Sequence, residues 1–317
     1  MPDQVRVWGP GSLSNLGPGF DTLGVALSRI GDVVEVSRAD RPGVYLEAGG
    51  GVSETPRDPE SNTAARASAS VLRRFAPEAG VSLRIVKGIR PGSGLGSSAA
   101  SASAAALGTA LLLGLKEKGD VVEAALDGEA GVSGARHGDN VLPSLMGGAV
   151  LTASDQPERF RRLRLPAAVH VAVVRPDIPV LTKEARAMLP KVVPLRDAVH
   201  NASSLAFLVD ALSAGDLEAF GFAIEQDRLV EPVRARLVPG YHEILAAARE
   251  AGALGAALSG SGPALFAVCP DAASGEAILE AMILATGKAG HHVRGIVTTV
   301  DEEGARLTDR TTPDFEI

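Results

Sequence analysis

The sequence predicts an α+β fold in two domains, on three observations. Short apolar strands alternate with helices along the whole chain. The composition turns polar near residue 154, and a second set of alternating elements begins beyond it. The 317 residues are 45% hydrophobic and 22% charged, enough for one large or two medium cores. We divide the chain into residues 1–160 and 161–317, with the candidate site between them.

In chain order, QVRVW reads as a strand by alternation, and TLGVALS and DVVEVSRA as two more through their branched residues. VYLEAGG is a further short strand. SNTAARASASVLRRFA opens on Ser or Asn and spaces its apolar residues along one helix face, after which VSLRIVKGI returns to strand. A glycine-rich stretch from Gly88 leads into an alanine-rich helix ending near Gly114. GDVVEAALDGEAG is helical, and HGDNVLPSLMGGAVLTA reads as loop, short helix and strand. SDQPERFRRLRLPAA, polar and proline-containing, reads as the link between domains, within residues 155–167. VHVAVVRPD then begins the second set. Helices LRDAVHNASSLAFLVDALSAG, DLEAFGFAIEQD and PGYHEILAAAREAG lead to strands ALGAALSG and ALFAVC, helix AASGEAILEAMILATGKAG and strand VRGIVTTV. No repeat of fixed period and no low-complexity tail interrupts the pattern.

A formal net charge of -7, with no dense basic cluster, argues against nucleic acid as a partner. The opening MPDQVRVWGPG lacks both a positive n-region and an apolar h-region, and no apolar run reaches spanning length, so we expect a soluble cytoplasmic protein without membrane contact. The one cysteine, Cys269, forms no intramolecular disulfide and reads as a small buried hydrophobe at a strand end. The adjacent pair His291 and His292 would point to opposite faces of a strand, which argues against a zinc site. GSGLGSS does not fit the G-x-S-x-G of a nucleophile elbow.

The stretch GIRPGSGLGSSAASASAAALGTALLLG carries the chemistry. Gly92, Gly94 and Gly96 at alternate positions let the backbone bring its N–H groups close to a ligand. Ser97 and Ser98 stand where the loop becomes a helix, whose first N–H groups and positive dipole end suit an anion, phosphate above all. The lysine of a Walker A loop is absent, and the spacing is G-x-G-x-G, not G-x-G-x-x-G. A glycine-serine turn with a small-residue helix packed on a sheet is the alternative on composition alone.

Two further glycine-rich segments flank it. GPGSLSNLGPGFDTLGVAL sets Asn15 and Asp21 in a loop between two strands, and GAALSGSGPALFAV places Gly260 to Pro263 between two more. Three such segments in this order, the middle one reading PGSGLGSSAA, resemble the galactokinase/homoserine kinase/mevalonate kinase/phosphomevalonate kinase superfamily, and within it the homoserine kinases, from about Val5 to Val300. The resemblance implies an N-terminal domain like the second domain of ribosomal protein S5, with a left-handed βαβ connection that departs from the usual handedness. It implies a ferredoxin-like C-terminal domain, ATP and Mg2+ in the cleft, and a homodimer. The reaction it implies is transfer of the γ-phosphoryl group of ATP to the side-chain hydroxyl of L-homoserine, giving O-phospho-L-homoserine on the route to threonine. The alternatives are a kinase of the same superfamily acting on another small alcohol, mevalonate or shikimate, and a non-catalytic nucleotide-binding relative.

Carried over residue by residue, the resemblance has Pro91, Gly92, Ser93, Gly94, Leu95, Gly96, Ser97 and Ser98 wrap the phosphates by N–H donation, with the Ser98 hydroxyl on the metal side. Glu129 is similar to the carboxylate that completes the metal site, magnesium being content with a few oxygen ligands and waters. By itself Glu129 also fits a solvated acid at a helix end. Asn62 and Lys87 resemble residues near the adenine, although Asn at a helix start is a cap first and Lys87 also fits an exposed strand end. Thr182, Arg186 and Arg234 are similar to residues that meet the acceptor, and the planar fork of arginine suits its α-carboxylate. As plain residues, the two arginines also fit surface cations. Asp21 looks like the ammonium partner, and Asn15 and His137 look like polar contacts to the substrate.

Relatives in this superfamily have an aspartate proposed as base at a fixed distance before a Gly-Gly pair. Counting back from Gly147 and Gly148, that slot falls on Asn140, with Asp139 one residue earlier. An amide takes no proton at neutral pH, and a loose phosphoryl-transfer transition state needs little early deprotonation. Asn140 is therefore expected to orient the hydroxyl or the γ-phosphate. If Asp139 holds the slot, a carboxylate base returns. Arg90, before the loop proline, departs from the nonpolar residue of many relatives, as a cation near the phosphates or as a surface residue.

Overall fold

The structure, a computed structural model, describes residues 2–133, 136–165 and 168–317, the side chains of residues 132 and 133 aside. β1 (Gln4–Asn15) and β2 (Gly19–Ala39) form a long antiparallel ribbon. The two strands expected within β2 are one. Arg29 adopts a left-handed φ of 65° and the register against β1 slips between Pro10 and Ser12, so the ribbon bends there without breaking. Asp21 consequently lies on β2 and not in a loop, while Asn15 closes β1.

β3 (Gly43–Leu46), β4 (Gly50–Gly51), α1 (Thr63–Phe75) and β5 (Gly80–Lys87) form a crossover unit in which β3 and β4 pair parallel to β5. The expected helix and strand lie where the apolar spacing puts them, and Asn62 caps α1 through bonds from Ala64 and Ala65 N–H. The glycine loop leads into α2 (Ser97–Leu112), followed by α3 (Val122–Ser133), α4 (Gly138–Met146), β6 (Ala149–Ala153) and β7 (Gln156–Leu163). β7 stands where the interdomain link was expected. It pairs with β6 alone, and the charges that made it look like a linker are those of an edge strand facing water. Pro166 and Ala167, the end of that stretch, lie outside the described residues.

The second half contains β8 (His170–Pro176), α5 (Thr182–Ala187), α6 (Leu195–Ala214), α7 (Leu217–Ile224), α8 (Glu231–Arg234) and α9 (Tyr241–Glu250). β9 (Gly255–Leu258), β10 (Leu265–Cys269), α10 (Ala272–Lys288), β11 (Val293–Thr299) and β12 (Arg306–Leu307) complete it. His291 and His292 precede β11 and are not on it, because Gly290 ends the helix turn before them. Cys269 is buried at the end of β10, as expected.

Among the described residues the strands form two sheets. The larger runs β12-β1-β2-β5-β3, with β4 on β5 and the β6-β7 hairpin on β2, so it extends past residue 160 and takes back residues 306–307. The smaller is antiparallel, β11-β8-β10-β9. Its chain order is the β-α-β-β-α-β pattern of a ferredoxin-like layer, with several helices filling the first crossover.

Period-two burial sorts the cores. Val171 and Val173 of β8 join a core with Leu13, Leu23 and Ile89 of the first layer, while Ala172 and Val174 face α9 and α10. On the other face of the large sheet, α1, α2 and α3 pack through alanines. α2 approaches β1 so closely that a Cβ on Gly9 would stand 2.2 Å from the Ala100 carbonyl oxygen. The small residues that made the sequence look like a loop-and-dipole motif therefore also seat the helix on the sheet. Among the described residues no helix is long and apolar enough to cross a membrane.

Candidate active site

The three glycine-rich segments meet in space. Gly260 N–H donates to the Ser14 carbonyl at 3.1 Å, Asn15 Nδ2 to the Gly260 carbonyl at 3.3 Å, and Ser259 Oγ to the Gly94 carbonyl at 2.6 Å. Ala264 N–H donates to the Ser93 carbonyl at 3.0 Å. The turn at Gly260 to Pro263, with a cis Gly262–Pro263 bond, thus locks the end of β1 to the glycine-rich loop between β5 and α2. One cavity opens between them, and every expected site residue lines it except Leu95. Leu95 is buried in the inter-layer core and its carbonyl accepts from Ser12 N–H at 3.1 Å, so it anchors the loop from beneath.

The loop residues Gly92, Gly94 and Gly96 have φ of 71°, 80° and 67°, the left-handed region expected of them. Ser97 and Ser98 occupy the first turn of α2, as foreseen, but their hydroxyls differ in use. Ser97 Oγ donates to the Ile89 carbonyl at 2.8 Å, whereas Ser98 borders the cavity. Glu129 on α3 is buried, 5% exposed, and its Oε1 lies 3.4 Å from His137 Nδ1, which overrules the solvated-acid alternative. Burial disfavours the charged His137 ring, but Glu129, with Asp139 and Asp21 beyond it, raises its pKa on balance. Ser98 and Glu129 offer hard oxygen donors at one cavity, and among the described residues no group of three or more His, Cys, Asp or Glu could hold a metal unaided.

Asn62 lines the cavity and caps α1 at once: Oδ1 accepts from Ala64 and Ala65, and Nδ2 donates to the Pro56 carbonyl at 2.9 Å. Lys87 is not exposed, and although it lines the cavity its ammonium is engaged within the protein. Its ammonium pairs with buried Asp32 and donates to the Ser97 carbonyl at 2.8 Å and to Ser101 Oγ at 3.0 Å. Arg90 turns away from the loop, toward Asp177 at 3.8 Å.

At the other end of the cavity, Asp21 is gripped by Arg186 at 3.2 and 2.5 Å. Phe20 lies between the two arginines, 5.4 Å from the Arg186 guanidinium and 5.0 Å from that of Arg234. Arg234 is 3% exposed and donates to the Gly260 carbonyl at 2.9 Å, with no carboxylate partner among the described residues. It is not a surface cation. Thr182 Oγ1 stands 3.3 Å from Ser261 Oγ. Asn140 Oδ1 accepts from Ser12 Oγ at 3.0 Å and its Nδ2 lies 3.4 Å from Asp139 Oδ1. Asp139 is buried, and burial followed by the nearby Asp21 charge pushes its carboxyl up to about 6. Both members of the Asp139–Asn140 pair therefore border the cavity.

The family described as GHMP kinases N terminal domain matches residues 62–148, and GHMP kinases C terminal matches residues 208–289. Homoserine kinase from Pyrococcus abyssi is 42% identical over 263 residues, covering 83% of this chain and 87% of that protein. The chain belongs to the GHMP kinase family. Homoserine kinase from Methanococcus vannielii is 42% identical over 84% of this chain and 87% of its own. The crystal structure of homoserine kinase from Cytophaga hutchinsonii superimposes with a TM-score of 0.92 at 35% identity, covering 97% of this chain and 98% of that one. A more distant likeness is to L. major mevalonate kinase, in complex with R-mevalonate, which is 19% identical with a TM-score of 0.71, covering 96% of this chain and 98% of that one, and shares the fold. Residue by residue, sequence reasoning missed Asp32, Ser101, Ser12 and Phe20. Only Asp32 carried a signal, an acid within the branched run IGDVVEV that becomes a strand.

Proposed function

We propose that this GHMP kinase transfers the γ-phosphoryl group of ATP to the side-chain hydroxyl of L-homoserine, yielding ADP and O-phospho-L-homoserine in threonine biosynthesis. One observation carries the choice of acceptor. Buried Arg234 has no carboxylate partner among the described residues, while Asp139 and Asp21 bring negative charge to the same cavity. This layout is complementary to a zwitterion, with Arg234 for the α-carboxylate and Asp21 with Asp139 for the ammonium. Mevalonate or shikimate could offer Arg234 a carboxylate but has no ammonium for the acidic pair. Arg186 acts by holding Asp21, and Asn15, Thr182 and His137 shape the rest of the acceptor end.

The triphosphate lies along Pro91 to Ser98, with the adenosine toward Asn62. Mg2+ would be held by the Ser98 hydroxyl, the Glu129 carboxylate and phosphate oxygens, and when bound it neutralises charge on the phosphates. The homoserine oxygen attacks the γ-phosphorus as the bond to the β-phosphate oxygen breaks, and the proton departs late to phosphate or water. Asn140, fixed by Ser12, orients the reacting hydroxyl, and positioning with charge neutralisation supplies the rate. Division near residue 160, a cytoplasmic location and a homodimer belong to the same proposal, the last checked by sedimentation.

The test is ADP release by purified protein with Mg-ATP against L-homoserine, D-homoserine, L-serine, L-threonine, mevalonate and shikimate, with product mass confirmed. Turnover dominated by L-homoserine supports the reading. Turnover dominated by mevalonate or shikimate overturns the acceptor, and silence across the panel overturns the kinase activity.

A further inference from the structure

The carboxylate of Asp32 touches both ends of the phosphate loop. Asp32 sits on β2 with no exposure to solvent, and its Oδ1 accepts from the N–H groups of Gly88 at 3.0 Å and Ile89 at 3.3 Å, where the loop leaves β5. Its Oδ2 accepts from Ser101 Oγ at 2.6 Å and from the Lys87 ammonium. Lys87 in turn reaches the Ser97 carbonyl, and Ser101 lies one turn further along α2, so these two contacts hold the far end of the loop. Ser97 Oγ closes the ring on the Ile89 carbonyl. All three ammonium protons of Lys87 have protein acceptors.

We propose that Asp32, acting through Lys87 and Ser101, is the positioning residue that sets the spacing between the two ends of the nucleotide-binding loop, so that its N–H groups are arranged before phosphate arrives. The proposal rests on the nucleotide reading above. Sheet formation does not call for this carboxylate, because the β2–β5 ladder already pairs Val33 with Val86 beside it. The hydrogen bonds of the Asp32 carboxylate go instead to the loop ends or to the side chains that hold them. A loop fixed in advance loses less freedom when it binds, and affinity follows. Lys87 belongs to this scaffold, and its influence on the nucleotide passes through the loop.

A merely structural ion pair and a positioning one respond differently to replacement of both charges. Removing one partner strands the other in the interior, whereas exchanging both for apolar groups of similar volume removes the unpaired charge and leaves only the Gly88 and Ile89 N–H groups and the Ser101 hydroxyl without their acceptor. The experiment compares the parent with the Asp32→Leu/Lys87→Met double variant, by thermal unfolding and by calorimetric titration with ADP in the absence of acceptor. The expected result is a folded protein with a Tm below that of the parent, because the Gly88 and Ile89 N–H groups lose their acceptor, with ADP affinity weakened about tenfold or more and an unchanged affinity for L-homoserine. A folded double variant that binds ADP like the parent overturns the proposal. Should the double variant not fold, Ser101→Ala decides: it removes the hydroxyl bridge while leaving both charges paired. Weakening of ADP by about threefold or more supports the assignment, and parental affinity overturns it. A parent protein that binds no ADP overturns the nucleotide reading itself, which keeps the two failures apart.

Discussion

Of the two arginines flanking Phe20, Arg186 already holds Asp21 and is partly exposed, whereas Arg234 is buried against the Gly260 carbonyl with its Nε unpartnered among the described residues. Burial lowers the Arg234 pKa, yet the group remains a cation at any working pH. Arg234→Ala should therefore raise the KM for homoserine at least about thirtyfold, the loss of a desolvated charge pair being worth about 2–5 kcal/mol, with kcat changed far less. An unmoved KM would place the carboxylate elsewhere. Asp139 gives a second reading at this scale. Its carboxyl, pushed up to about 6 by burial and then by Asp21, becomes neutral below that pH and can no longer attract an ammonium. The homoserine KM should thus rise as pH falls through about 6, and Asp139→Asn should abolish that limb with kcat reduced less than about a hundredfold. A larger loss in kcat at unchanged KM would make Asp139 the base, and Asn140 a bystander.

At the scale of the element, α8 is a single turn whose place depends on one buried acid. Glu231 accepts from Leu258 N–H at 2.7 Å and from the Tyr241 hydroxyl, tying α8 to β9 and α9 and so presenting Arg234 to Gly260. Burial pushes its carboxyl up to about 8 despite those hydrogen bonds, from 4.5 in the unfolded chain. Between these values the unfolded chain has lost a proton that the folded protein keeps. Stability therefore falls as pH rises through the window, by roughly 1.4 kcal/mol per pH unit at most from this group. Glu231→Gln keeps an acceptor and removes the titration, so its Tm should gain on the parent between about pH 5 and about pH 8. Parallel Tm profiles would sink the assignment. Such elements were hardly legible in the sequence. α5 and α8 are too short for periodicity, and EPVRARLVPG revealed its arginine only through family likeness. The long helices and branched strands were legible because burial repeats along them. β7 was not, because an edge strand is polar for the reason a linker is. Asp32 escaped notice because its partners come from segments distant in sequence.

At the scale of the molecule, the two layers are joined by the inter-layer core, by the turn at Gly260 to Pro263 and by the segment after β11. Beyond Asp301 the chain leaves the smaller sheet, pairs β12 with β1, and lays Arg310 over the Trp8 ring at 4.9 Å. It then runs along the base of the glycine-rich loop. Phe315 bridges to Ile30, Ile317 N–H donates to the Gly88 carbonyl at 2.8 Å, and Arg90 N–H donates to the Ile317 carbonyl at 2.8 Å. Ile317 is fully buried beside Ile89 and Leu95 in the core that spans both layers. Nothing in TTPDFEI reads as an element, since its contacts are single bridges and not a repeat. Gly88 is thus held on its N–H by Asp32 from one side and on its carbonyl by this segment from the other. Deleting residues 313–317 should cost about 1.5–3 kcal/mol for the buried isoleucine alone, and it should also free one face of Gly88 and Arg90. The deletion variant is therefore expected to lose both Tm and ADP affinity, while binding of homoserine at the Arg234 end, which the segment does not touch, stays within about twofold of the parent. Equal losses of ADP and homoserine affinity would mean that the segment supports the fold as a whole. Loss of ADP affinity alone would make it the outer half of the clasp that Asp32 closes from within.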